Sequence, residues 1–330
     1  MVDPAVLLIL VVILALAFDF SNGWHDSANA IATVVSTHVL RPWQAVLMAA
    51  LLEIAGAFMS TAVAKMIGGG IVEASLIQQS TVAAALVGAI LWNILTLYLG
   101  LPTSSSHALI GGLIGAALAQ SGMSAVKLSG LQQVLEAMLL SPLVGFVLGY
   151  LFILSVYWLV FRVPRGTANL AFRRLQLVSS GLMAFSHGAN DAQKAMGIIT
   201  LALVSAGYLD QVAVPTWVIL ACALAMGLGT AAGGWRIIRT LGMRIVKMEP
   251  VHGFAAETSA ALILLGTAHF GMPVSTTHTI TSSIMGVGAV KRLSAVRWGV
   301  TMRIVYAWLF TLPGAGLVAY GATLILQTLR

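Results

Sequence analysis

Charge is scarce in this chain: 8% of its 330 residues are Asp, Glu, Lys or Arg, while 59% are hydrophobic. A soluble domain carries roughly 25% charged residues, so a water-exposed globular protein is excluded. Cysteine is nearly absent. Cys222 stands alone in the apolar run VILACALAMG, which leaves no disulfide framework and no thiolate metal site within one chain. The apolar stretches do not alternate with polar residues, and that excludes a transmembrane β-barrel. The formal charge of +7 would suit nucleic acid, but the basic residues are scattered through short segments between apolar runs. Membrane topology produces that pattern, so no nucleic-acid partner is implied.

The apolar runs cover residues 4–20, 42–66, 80–100, 131–161, 213–235 and 304–328, and most reach the roughly 20 residues that span a bilayer as helix. The opening MVDPAVLLIL has neither a basic n-region nor a small-residue cleavage site and reads as a retained helix. The expectation is an all-α polytopic membrane protein whose surroundings are a lipid bilayer.

Two motifs occur twice, in the same order. FSNGWHDSANAIATVV at 20–35 aligns with FSHGANDAQKAMGIIT at 185–200, and GLPTSSSHALIGG at 100–112 aligns with GMPVSTTHTITSS at 271–283. The chain is therefore read as two repeats, 1–165 and 166–330. Each hydroxyl cluster is taken as the tip of a re-entrant hairpin. With the N-terminus outside, Arg41, Arg162, Arg165, Arg173, Arg174, Arg236, Arg239, Arg244, Lys247, Lys291, Arg292 and Arg297 fall inside, and only Lys65, Lys127 and Arg330 outside. Cytoplasmic loops favour basic residues in this way. Each half then has three crossings and one hairpin, and an odd number of crossings inverts the second half. The expected fold is an inverted-topology repeat with two re-entrant helical hairpins and broken helices, both termini outside. Residues 80–100 remain open between a full span and part of a hairpin, and the 131–161 run could break near Pro142.

Pro102 and Pro273 break the helix at the two tips, and a new half-helix starts after each on Ser or Thr, which are good N-caps. Its free amides and positive dipole end suit an anion. Ser104, Ser105, Ser106, Ser275, Thr276 and Thr277 add hydroxyl donors around a tetrahedral oxyanion. One such cluster would more readily be a helix cross-link; two at equivalent places favour a site.

Asp26 and Asp191 sit in the other repeated motif, and a carboxylate inside a membrane is a functional hypothesis by default. Asn22, Asn29 and Asn190 place amide oxygens nearby, as a small hard cation would require. A doubly charged phosphate beside both aspartates gathers four negative charges, of which Lys194 offsets one. Desolvating that set alone would be prohibitive. Cations entering with the anion lower the cost, and each ligand then favours the other. Glu53, within the 42–66 run, is left between pairing with Lys194, carrying a proton alongside Asp26 and Asp191, and facing a polar crevice.

GWHDSANA at 23–30, GANDAQKA at 188–195, PTSSSH and PVSTTH resemble the duplicated motifs of the inorganic phosphate transporter (PiT) family, approximately GANDVANA and Pro-x-Ser-[Ser/Thr]-[Ser/Thr]-His. The resemblance covers nearly the whole chain. It implies a bacterial-type phosphate permease of the plasma (inner) membrane that imports inorganic phosphate by cation symport, with no cofactor beyond the coupling cation, and assembles as a homodimer. Aspartates and asparagines of the repeated motif would bind the cation, and hairpin hydroxyls the phosphate. The sequence departs at His25, Gln193 and Lys194. A lysine beside Asp191 occupies by charge what sodium would fill in the other half, so proton coupling is expected over sodium. Substrate as a neutral metal–phosphate complex stays open.

His107 and His278 would contact the anion or bond a neighbouring carbonyl; His187, His38, His252 and His269 are assigned nothing. Rival readings are a sulfate permease on the same scaffold, a channel, and an intramembrane hydrolase built from Ser, His and Asp.

Overall fold

The computed structural model describes residues 3–328, and among them there is no β-strand beyond a single bridge between Val72 and Val126. Arg330, counted with the sparse outer basic residues, and the first two residues of the opening MVDPAVLLIL lie outside the described residues. The helices are α1 (Pro4–Ser36), α2 (Pro42–Ala57), α3 (Ala62–Gly69), α4 (Gln79–Leu99), α5 (Ser105–Ser121), α6 (Leu128–Val160), α7 (Arg165–Ser205), α8 (Thr216–Ala232), α9 (Trp235–Arg239), α10 (Pro250–His269), α11 (Thr276–Ala289) and α12 (Trp298–Thr328).

Local chemistry accounts for where several of these begin and end. Asp3 caps α1 by accepting from the Ala5 amide at 2.9 Å. Proline occupies the first turn of α1, α2 and α10, where its missing N–H costs no helical bond. α1 continues 16 residues past its apolar run to Ser36, so the whole first Asp motif is helical; the second lies within α7. α6 is unbroken through Pro142, and so is α12 through Pro313.

Two apolar runs are not straight. The stretch 42–66 bends by 71° between α2 and α3, and 213–235 ends in a 60° bend between α8 and the segment Trp235–Arg244. The first break is fixed from the other half of the chain: Gln193 Oε1 accepts from the Val63 and Ala64 amides at 2.9 and 3.2 Å, satisfying the start of α3. The second follows Gly233, whose φ of +71° disfavours a side chain.

α4 and α5 pack on each other as two arms joined at Gly100–Ser104, and α10 and α11 do the same around Gly271–Ser275. Residues 80–100 therefore form the first arm of a hairpin. Gly100 and Gly271, at φ +68° and +67°, turn the chain out of the first arm. Ser104 then caps α5 through the His107 amide (3.2 Å), and Ser275 caps α11 through the His278 amide (3.1 Å).

The main helix pairings recur with the two halves exchanged. α1 packs on α8 as α7 packs on α2; α5 packs on α12 as α11 packs on α6; α1 packs on α4 as α7 packs on α10. Motif glycines permit the closest of these approaches. A Cβ on Gly23 would lie 2.2 Å from the Met226 carbonyl oxygen, and one on Gly188 would lie 2.2 Å from that of Glu53.

One end of the molecule is basic. Arg165, Lys247, Lys291, Arg292 and Arg297 line two adjoining cavities there with Glu249. At a separate loop Lys127 pairs with Glu73 at 3.4 Å and donates to the Gly69 carbonyl. Arg236, grouped with the inner-loop arginines on sequence, reaches the first hairpin: its guanidinium lies 4.3 Å over the Tyr98 ring and donates to the Tyr98 carbonyl.

Candidate functional site

Helical spacing aligns Asp19, Asn22, Asp26, Asn29 and Thr33 along one buried face of α1. α7, packed on α1, presents His187, Asp191 and Lys194 one turn apart, also buried. Both hairpin tips converge on this seam. Ser105 donates to Asp26 Oδ2 at 3.1 Å and Thr277 to Asp26 Oδ1 at 3.3 Å. Thr276 donates to Asp191 Oδ2 at 3.3 Å. Asn29 Nδ2 donates to Thr277 Oγ1 at 2.9 Å, and Ser106 to the Val274 carbonyl at 3.3 Å. Residues 105 and 106 thus meet residues 274, 276 and 277 around two aspartates.

The departures at His25 and Lys194 each set a base against a motif aspartate. His25 Nδ1 lies 2.6 Å from Asp26 Oδ1, with its Nε2 3.1 Å from Thr96 Oγ1. Lys194 Nζ lies 2.7 Å from Asp191 Oδ2. Gln193, the remaining departure, is used by the α3 cap.

Other predicted residues fall differently. The Ser104 and Ser275 hydroxyls are engaged as N-caps. Asn190 Nδ2 donates to the Leu264 carbonyl at 2.8 Å, while its buried Oδ1, the atom a cation would use, has no hydrogen-bond partner. Asn22 is buried beside Asp19 on the same face of α1. Glu53 does not pair with Lys194: its Oε1 lies 2.9 Å from His187 Nδ1, and Thr230 donates to its Oε2. His187 Nε2 in turn lies 3.3 Å from Asp191 Oδ2, so this imidazole, unassigned on sequence, bridges two acids. The i, i+4 spacing of His187 and Asp191 is the sequence signal that could have found it. His107 and His278, the residues following the hydroxyl clusters, meet each other edge to face with ring centroids 4.9 Å apart, and His278 stacks on Trp308.

Besides Glu53, two buried acids lie outside the repeated motifs. Glu257 accepts from Thr33 at 2.5 Å, from Gln176 at 3.1 Å and from Ser179, tying α1, α7 and α10 together. Asp19 is completely buried on α1, beside Asn22 and Cys222. Each occurs once, so no repeat marks it in the sequence.

Ligand atoms of Asp26, His187 and Asp191 all lie within 4.8 Å of one another, a set suited by its oxygens and imidazole to a cation. Ser105, Ser106, Thr276 and Thr277 are at most 1% exposed, as are both aspartates. The site is sealed from water in this conformation.

The chain's similarities accord with this architecture. A solved structure described as the sodium-dependent phosphate transporter superposes with a TM-score of 0.88 at 24% identity, covering 98% of this chain and 100% of that one; at that identity the likeness is one of fold. Proteins described as probable low-affinity inorganic phosphate transporters are 50% identical over 315 residues in Rhizobium meliloti (strain 1021), covering 95% of this chain and 94% of the relative. In Bacillus subtilis (strain 168) the identity is 48% over 322 residues, covering 96% of both. The model of the phosphate transporter family matches residues 22–319, from the first Asp motif through both hairpins and into α12. This chain belongs to the phosphate transporter family.

Proposed function

We propose that the chain imports inorganic phosphate by proton symport, holding the anion where the two hairpin tips meet over Asp26 and Asp191. The observation that carries this reading is the convergence of Ser105, Thr276 and Thr277 on those carboxylates. The α5 and α11 N-termini bring amides and positive dipole ends to the same place. Hydroxyls that now donate to Asp26 and Asp191 would turn to phosphate oxygens, and the carboxylates would accept the proton of monohydrogen phosphate. Sulfate at neutral pH has no such proton, so the site favours phosphate.

Coupling follows from charge. His25 and Lys194 hold positive or proton-donating groups against the two aspartates, and a fixed ammonium at Asp191 occupies the place of a sodium ion. Protons then supply the charge that accompanies the anion. Alternating access is attributed to the exchanged packing of the two halves, with one hairpin opening while the other stays closed. The basic end would face the cytoplasm of a plasma-membrane protein.

A nucleophilic hydrolase reading is set aside, since the family is one of transporters. Uptake of radiolabelled phosphate into proteoliposomes under separately imposed proton and sodium gradients tests the proposal. Accumulation driven by the pH gradient and poorly competed by sulfate is expected. Accumulation driven by sodium alone, or equal competition by sulfate at neutral pH, would contradict it. A strict requirement for a divalent ion would assign the substrate as a metal–phosphate complex, for which the Asp26, His187 and Asp191 set offers ligands.

A further inference from the structure

We propose that the basic cavity between the end of α6, the start of α7 and the second hairpin binds the headgroup of an anionic phospholipid. This goes beyond phosphate transport and is independent of the coupling ion. The cavity has a volume of about 720 Å³ and adjoins one of about 360 Å³, the two sharing Glu249 and Lys291. Ligand pockets measure roughly 300–1,000 Å³.

Five cations line the pair of cavities, Arg165, Lys247, Lys291, Arg292 and Arg297, against the single acid Glu249. Lys291 meets that acid only at 3.5 Å, with both side chains more than half exposed. Among the described residues, the side chains of the other four cations make no hydrogen bond or ion pair. Unpaired like charges around one space repel each other, and an anion placed among them relieves that repulsion.

Neutral donors accompany the cations. α7 begins behind Pro164, whose side chain has no polar atom to cap it, so the amides of Arg165 and Gly166 are left without a helical acceptor beside the cavity those residues line. The positive end of the helix dipole lies there too. The Glu249 amide donates to His252 Nδ1 at 3.0 Å, which makes that nitrogen the acceptor and puts the ring hydrogen on Nε2. His252 Nε2 lies 2.8 Å from the Tyr157 oxygen and therefore donates to it. The Tyr157 O–H is left to donate into the cavity that Tyr157 lines.

The remaining wall distinguishes a lipid from a dissolved anion. Val160, Phe161 and Val163 line it, and Trp158, Leu159 and Phe161 are exposed at the end of the long apolar span α6. Hydrocarbon around α6 therefore reaches the cavity rim. A molecule with a phosphodiester head and acyl chains meets the basic and the apolar walls together, whereas a free phosphate ion would leave the apolar wall bare. Seated there, the lipid joins α6 and α7 to both ends of the second hairpin, since Val251 lies in the first turn of α10 and Lys291 just past α11.

The experiment follows the thermal midpoint of the detergent-purified protein during titration with dioctanoyl phosphatidylglycerol, dioctanoyl phosphatidylcholine or inorganic phosphate. Wild type is compared with the Arg165→Gln, Lys291→Gln double variant, with Gly166→Glu, and with the Ser105→Ala, Thr276→Ala double variant at the hairpin tips. Phosphatidylglycerol is expected to raise the wild-type midpoint saturably, and phosphatidylcholine to leave it unmoved. The half-saturating phosphatidylglycerol concentration should rise about tenfold or more in the first two variants and stay unchanged in the tip variant. Gly166→Glu keeps the test open should the double variant fail to fold, because a Cβ at Gly166 meets nothing within 4 Å and an acidic residue suits the first turn of a helix. Inorganic phosphate is expected to act through the tips alone. Equal stabilisation by phosphatidylcholine, or none by phosphatidylglycerol, would overturn the proposal, as would wild-type half-saturation in Gly166→Glu. Stabilisation by inorganic phosphate that survives in the tip variant and is lost in Gly166→Glu would assign the cavity to the free ion and overturn the lipid.

Discussion

Asp26 and Asp191 are alike in sequence and unlike in surroundings. The first is bonded by His25, Ser105 and Thr277, the second by His187, Lys194 and Thr276. Removing one member of a buried charge pair costs about 3–5 kcal/mol because the partner stays behind uncompensated. Lys194→Asn, which installs the residue of the other repeat, should therefore lower pH-driven uptake and make the remainder respond to sodium; uptake in sodium against choline medium measures this, and indifference to sodium would argue against a tethered cation. Ser105→Ala and Thr276→Ala each remove one donor, and hydrogen bonds to charged groups are worth about 1.5–3 kcal/mol. A rise in KM of about tenfold or more is expected for each, measured by initial rates of labelled phosphate uptake. The hydroxyls and aspartates were legible because each chemistry appears twice at matched spacing. His187, Asp19 and Glu257 were not: the first repeat has Asn22 at the place of His187, and neither acid recurs, so no repeat sets them apart.

Each hairpin depends on a turn and a cap that its own sequence supplies. Gly100 and Gly271 leave the helix at positive φ, and Ser104 and Ser275 start the next one. That logic is local, so the hairpins could be read from Gly, Pro and Ser alone. The bend between α2 and α3 could not, because a run of apolar residues is equally content straight or bent. It is settled by Gln193, more than a hundred residues away, which takes the first amides of α3. Gln193→Ala should leave those amides unsatisfied and lower stability by about 1–3 kcal/mol, seen as a reduced thermal midpoint in detergent. Substituting valine for Gly188 should be more damaging, since its Cβ would sit 2.2 Å from the Glu53 carbonyl oxygen and force α2 away from α7; loss of a monodisperse purified species is the expected result.

The two halves are interleaved rather than side by side. α5 of the first packs on α12 of the second, and α11 of the second packs on α6 of the first. Each hairpin's second arm is thus supported by the other half, so that in the proposed cycle movement of one tip would be felt at the shared seam of α1 and α7. The proposed reading would seat the anion between the tips and seal it when both are in. It also places the central claim where it can be examined directly, by soaking or co-crystallising the protein with arsenate and locating the anomalous scatterer. The account predicts a peak between Ser105 and Thr276, facing Asp26 and Asp191, and weaker in the Ser105→Ala, Thr276→Ala double variant. A peak confined to the basic cavities near Arg165 and Lys291, with none at the tips, would contradict it.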